Sequence, residues 1–119
     1  MPSKSPAQRL TAILENIDAI AEFTSGMTFA AYLRDRKTIY AVTRALEIIS
    51  EASRRLPDAL KQRHPTIDWP GVAAVGNIYR HEYDVVDNAL VWHTLQHDLA
   101  PLRTAIAQEL SQLEGPPPP

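Results

Sequence analysis

Val91, Leu95, Leu99, Leu102, Ile106, Leu110 and Leu113 follow one another at spacings of four and three. Three and four residues are about one helical turn, so a helix places this whole set on one face. A helix with such a seam lays it against other helices. The same spacing governs two earlier stretches. Leu10, Ile13, Leu14, Ile17, Ile20 and Ala21 form one set, and Ile39, Val42, Leu46, Ile49, Ser53 and Leu56 form another. No stretch alternates with period two, and neither a hairpin signal nor an internal repeat is found. The expected fold is all-α, an antiparallel helical bundle of four main helices with one or two short extra helices.

Local signals set the expected boundaries. Ser5-Pro6 caps and starts the first helix, which ends near Ser25-Gly26, where glycine is the stop. Glu15, Asp18 and Glu22 lie on its outer side. A short helix covers Met27 to Arg34, with Thr28 as cap and Phe29 and Leu33 as anchors. Asp35 caps the third helix, whose Arg44, Glu47, Glu51, Arg54 and Arg55 fall largely outside its apolar face. Asp58 to Gln62 is a short extension that His64-Pro65 stops, because the residue before a proline disfavours helix. A central helix runs from about Trp69 to Glu82. Asp87 or Asn88 caps the long last helix, which Pro101 kinks or divides. Residues 1–5 read as a disordered lead, 6–114 as one helical domain, and the Pro-rich 115–119 as a disordered tail.

Composition excludes some functions. There is no cysteine, hence no disulfide, no thiolate metal site and no cysteine nucleophile. The net charge of -2 supplies no global basic field, so contact with nucleic acid has to come from a local patch or a second subunit. No apolar run approaches the roughly 20 residues of a membrane span. Met1-Pro2-Ser3-Lys4-Ser5-Pro6 lacks the apolar region of a signal peptide. A soluble, cytoplasmic protein with no membrane partner is expected.

The chemistry gathers in Gly76-Asn77-Ile78-Tyr79-Arg80-His81-Glu82-Tyr83-Asp84. On a helix, Asn77, Arg80, His81 and Asp84 form one polar stripe. Val72, Val75, Tyr79 and Tyr83 form an apolar and aromatic stripe beside it. The polar stripe holds an amide, a fixed cation, a group that titrates near neutrality and a carboxylate within two turns. Such a run also suits a plain solvated helix face.

The chain resembles the HEPN superfamily and, within it, the HepT-like toxin group. The resemblance covers about residues 8 to 113 and rests on five stretches. They are Arg9-Leu10-x-x-Ile13-Leu14-x-x-Ile17, Phe29-x-x-x-Leu33-x-Asp35, the run from Ala41 to Ala52, Trp69, and Asn77-x-x-x-His81-x-Tyr83 with Asp87 and Val91-Trp92 after it. The family signature is an arginine, four residues, a histidine, one residue and a tyrosine, usually with a polar residue beside the arginine. Carried over by position, His81 matches the catalytic histidine, Tyr83 the motif tyrosine and Asn77 the polar residue. The arginine position holds Gly76, and there the chain departs from the pattern. The resemblance implies a metal-independent ribonuclease toxin with no cofactor. It implies a homodimer whose signature helices meet at one cleft, RNA as substrate and a nucleotidyltransferase antitoxin as partner. It also implies that the partner transfers AMP to Tyr83.

Cleaving RNA without a metal uses the 2′-hydroxyl as nucleophile. It needs a base for that proton and a cation for the charge developing on the phosphate. An imidazole, with an unperturbed pKa of ~6.5, serves as the base. A guanidinium serves as the cation, and Gly76 cannot. Arg80 lies one turn later, and helical side chains lean toward the N-terminus. Its guanidinium is therefore the expected substitute, reaching into space that Gly76 leaves empty. Gly76 can equally be a packing notch between close helices. The alternatives to a ribonuclease are a catalytically silent HEPN module that binds a nucleotide or the nucleotidyltransferase, and a helical assembly protein with no ligand site.

Three further features weigh less. His93 and His97 sit i, i+4 with Asp98 adjacent, a zinc-compatible spacing without an obvious third ligand. His64 is expected in a loop. Arg44, Glu47 and Glu51 are expected to form helix pairs worth tenths of a kcal/mol.

Overall fold

The computed structural model describes residues 5–76 and 85–114. The described residues form seven helices and no strand: α1 Pro6–Phe23, α2 Phe29–Arg34, α3 Arg36–Arg54, α4 Asp58–Gln62, α5 Trp69–Val75, α6 Val85–His97 and α7 Leu99–Glu114. The result is a helical bundle, as the periodicity requires.

The first three starts follow the caps in the sequence. Ser5 and Gln8 make a reciprocal capping box at α1, Ser5 Oγ accepting from the Gln8 amide over 3.2 Å and Gln8 Oε1 from the Ser5 amide over 2.8 Å. Thr28 accepts from the Ala31 amide at the head of α2, and Asp35 from the Thr38 amide at the head of α3. Each such bond satisfies an amide that has no partner within its own helix, a stabilisation of about 1 kcal/mol. Gly26, at φ 75, turns the chain between α1 and α2, a left-handed backbone that a side chain would strain.

Leu10, Ile13, Ile17 and Ile20 of α1 and Val42, Leu46 and Ile49 of α3 are buried, and α1 packs on α3 and α7. Each such side chain contributes about 1.5–3 kcal/mol by leaving water. Ala21 is exposed, because it lies at the edge of the α1 stripe. In α2 the fully buried residue is Tyr32 rather than either expected anchor, and its ring lies 5.1 Å from that of Trp92. Phe29 sits beside them, 6.0 Å from Trp92. The Arg103 fork donates to both carboxylate oxygens of Asp18 at 2.7 and 3.1 Å, tying α7 to α1 at the surface.

The last seam divides as expected, but not at the proline itself. α6 ends at His97 and α7 starts at Leu99, which puts Pro101 in the first turn of α7. Pro101 has no amide hydrogen to give to the carbonyl one turn back, so the ladder breaks just before it. α6 already begins at Val85, so Asp87 and Asn88 lie inside the helix and do not cap it. Asn88 is buried there. Val91, Leu99, Leu102 and Ile106 are buried, Leu95 and Leu110 partly so, and Leu113 is 56% exposed as the seam runs off the core. No helix among the described residues is long and apolar enough to cross a membrane.

Candidate functional site

The helix leading into the signature is α5, and it is held at both ends. At its start Asp68 accepts from the Gly71 amide over 3.1 Å. The Trp69 indole, almost wholly buried, donates to the carbonyls of both Lys61 and His64 at 3.1 Å. His64 is in turn bound to α7. Its Nε2 lies 2.7 Å from Glu109 Oε2, while the Arg63 fork donates to both Glu109 oxygens at 3.1 and 2.6 Å. An ionised carboxylate only accepts, so the proton of this bond sits on His64 Nε2. The Glu109 side chain is 5% exposed. The Arg63 hydrogen bonds hold its pKa below the ordinary carboxylate value, burial works against that, and His64 adds to the lowering.

His64 is thus a loop residue, as expected, but an anchored one. Glu109 was not read from the sequence as part of any site. The signal was present, since position 109 shares the inner face of α7 with Leu102, Ala105 and Ile106. An acid on that face must find cationic partners or stay uncharged.

At the other end of α5, Ser50 of α3 does two things with one hydroxyl. It donates to the Val72 carbonyl over 2.9 Å and accepts from the Gly76 amide over 2.8 Å. Ser50 is fully buried. Arg54, a turn further along α3, donates to the Ala73 carbonyl over 2.6 Å. These bonds draw α5 close to α3. A Cβ at Gly76 would lie 3.0 Å from Ser50 Oγ, 3.1 Å from Ser50 Cβ and 3.2 Å from the Glu47 Cα. The space expected to be empty at Gly76 is therefore filled by α3, and the packing-notch reading is the one the geometry supports. A residue with a side chain requires α3 backbone to move.

Val75 is buried and Val72 partly so, which agrees with the apolar stripe assigned to them. Asn77, Tyr79, Arg80, His81, Tyr83 and Asp84 lie outside the described residues, and so does the rest of the central helix expected to reach Glu82. Beyond α5, a groove of about 400 Å³ opens between α3, α5 and the α6–α7 junction, with Leu46, Ile49, Val72 and Leu102 inside and His93 and His97 at its rim. The two histidine rings lie 4.3 Å apart. No three potential metal ligands come together among the described residues.

A family model described as "Ribonuclease HepT-like" matches residues 13–109. The chain belongs to the HepT-like ribonuclease family. A relative from Thermococcus cleftensis named "Probable ribonuclease HepT" is 40% identical over 100 residues, covering 84% of this chain and 91% of its own. A Methanocaldococcus jannaschii protein whose name marks it as a candidate RNase is 33% identical over 115 residues, covering 97% of this chain and 95% of its own. No solved structure matches the chain. Within the HepT-like frame, Gly76 stands at the end of α5 where the signature arginine is expected, and the close α3–α5 packing depends on its lack of a side chain.

Proposed function

We propose that this chain is a metal-independent endoribonuclease, the toxin of a toxin–antitoxin pair, working as a homodimer and neutralised by a nucleotidyltransferase. Family membership over residues 13–109 carries the reading, and relatives named as ribonucleases support it. His81 acts as the base that takes the 2′-hydroxyl proton. The 2′ oxygen then attacks the adjacent phosphorus, and the 5′ oxygen of the next nucleotide leaves and is protonated. Arg80 supplies the cation for the charged phosphate oxygens, and Asn77 orients the phosphate as a neutral donor. Purified protein should cleave single-stranded RNA in the presence of a chelator. His81→Ala and Arg80→Ala should each lower the rate by on the order of 10²–10³ or more, with the helical circular dichroism unchanged. Undiminished cleavage by His81→Ala would sink the assignment.

The tight packing at Gly76 favours a second reading, a catalytically silent HEPN module that binds a nucleotide or the nucleotidyltransferase. The arginine of the signature is absent, and its place is closed by Ser50 and Glu47. A wild type without cleavage at any RNA concentration, together with activity gained in Gly76→Arg/Ser50→Gly, would establish this reading over the first.

A further inference from the structure

On the α1–α3 side of the molecule is a second groove, of about 390 Å³, walled by Arg9, Arg44, Glu47, Glu51 and Arg55. Its carboxylates are committed. Glu47 pairs with Arg44 at 3.2 Å, and Glu51 holds Arg54 at 3.1 Å and Arg55 at 2.8 Å. Three guanidiniums and two carboxylates thus line the groove, a local surplus of one positive charge in a chain whose net charge is -2, with Arg54 just outside it. Pairs three and four apart on one helix are by themselves an ordinary solvated face. Arg9 is different. It comes from α1, it has no carboxylate partner among the described residues, and one of its terminal nitrogens donates to the Arg55 carbonyl over 3.0 Å. Its Nε is buried without a partner. The carbonyl fixes the guanidinium at the groove and leaves its charge unneutralised.

This groove borders the α3–α5 seam. Glu47, in its wall, is the residue whose Cα abuts Gly76, and Arg54 reaches from its end to the Ala73 carbonyl. From Arg44 to Arg55 the α3 axis advances about 16 Å, enough for more than one phosphate. We propose that the groove binds the phosphodiester backbone of the RNA strand that flanks the cleaved bond. The proposal rests on the ribonuclease reading for the strand's presence, but binding in the groove does not depend on cleavage. Arginine forks suit phosphate oxygens, and such contacts hold a strand without reading its sequence.

The test is fluorescence anisotropy with a 2′-O-methyl RNA oligomer, which cannot be cut. Arg9→Gln and Arg44→Gln should each weaken binding roughly tenfold and lower the dependence of log affinity on log salt by about 0.7. Arg9→Lys should fall between Arg9→Gln and wild type. If Arg9→Gln fails to fold by circular dichroism, Arg44→Gln decides alone, its side chain being 71% exposed and free of the core. A bound wild type with affinity and salt slope unchanged in the variants overturns the groove and leaves the ribonuclease reading standing. A wild type that binds the oligomer through these arginines yet cuts no RNA supports the groove and overturns the ribonuclease reading. Loss of self-association in Arg9→Gln with RNA affinity intact would identify a protein interface and overturn the proposal. Displacement by inorganic phosphate at equal phosphate concentration would mean a single-anion site, and would overturn it as well.

Discussion

Ser50 Oγ and the Gly76 amide nitrogen are 2.8 Å apart, and the hydroxyl of the same serine faces the Val72 carbonyl at 2.9 Å. One buried side chain on α3 thus satisfies an acceptor on α5 and a donor at its end, and a Cβ at position 76 would crowd that approach, 3.0 Å from Ser50 Oγ.

Gly76→Ala should destabilise the fold by about 1–3 kcal/mol, the usual cost of overpacking, because its Cβ would press on Ser50 Oγ and Cβ and also on the Glu47 Cα, a backbone atom that cannot swing aside. Ser50→Ala should cost about 1–3 kcal/mol for a different reason, leaving a buried amide without a partner. Urea unfolding of both single variants and of the double variant measures this. The double should cost less than the sum, because removing the hydroxyl relieves the crowding at position 76.

Glu109 gives the fold an acid-sensitive limb. Its carboxyl titrates below the ordinary value of 4.5, first because Arg63 donates to it, with burial opposing and His64 assisting. The folded protein therefore holds this proton less readily than the unfolded chain does. Stability from this group is fully present above pH 4.5 and is lost as pH falls through the lowered folded value. Glu109→Gln should be less stable than wild type at neutral pH and should show a shallower loss on acidification. Denaturant midpoints followed from about pH 7 to pH 3 check both, and parallel curves for the two proteins would contradict the assignment.

Dimerisation is expected from the family reading. Light scattering at micromolar concentration should give twice the chain mass, and two-fold symmetry is the usual form of such a pair. A monomer there would remove the shared cleft from the proposed mechanism.

Tyr83 should accept AMP from a nucleotidyltransferase partner. The added phosphate brings charge and bulk beside His81, where RNA phosphate has to lie, and blocks cleavage without unfolding. Mass spectrometry of co-expressed protein should find the adduct on Tyr83. An unmodified tyrosine beside a partner active on other substrates would dismiss this mode of control.

Much of the bundle was legible in the sequence, because helical spacing and caps are local. The Ser5, Thr28 and Asp35 caps and the Asp58–Gln62 helix all follow from neighbouring residues. What escaped depends on distant partners. Asn88 resembles a cap until the helix is seen to start earlier at Val85. Tyr32 gives no sign of its burial until Trp92, sixty residues on, supplies the neighbouring ring. Ser50 gives no sign of its role until the Gly76 amide, 26 residues on, is seen to donate to it. At Gly76 the sequence left an empty space and a packing notch both open, and α3, from another part of the chain, decides for the notch.

The double role of Ser50 also bears on how this chain can change over generations. Introducing an arginine at position 76 is a single replacement, but it meets the Glu47 backbone and the Ser50 side chain at once. Shrinking Ser50 first strands the Gly76 amide, and enlarging Gly76 first displaces α3. Either order passes through a less stable protein, so positions 50 and 76 are epistatic. The closed seam thus holds position 76 at glycine unless position 50 changes with it.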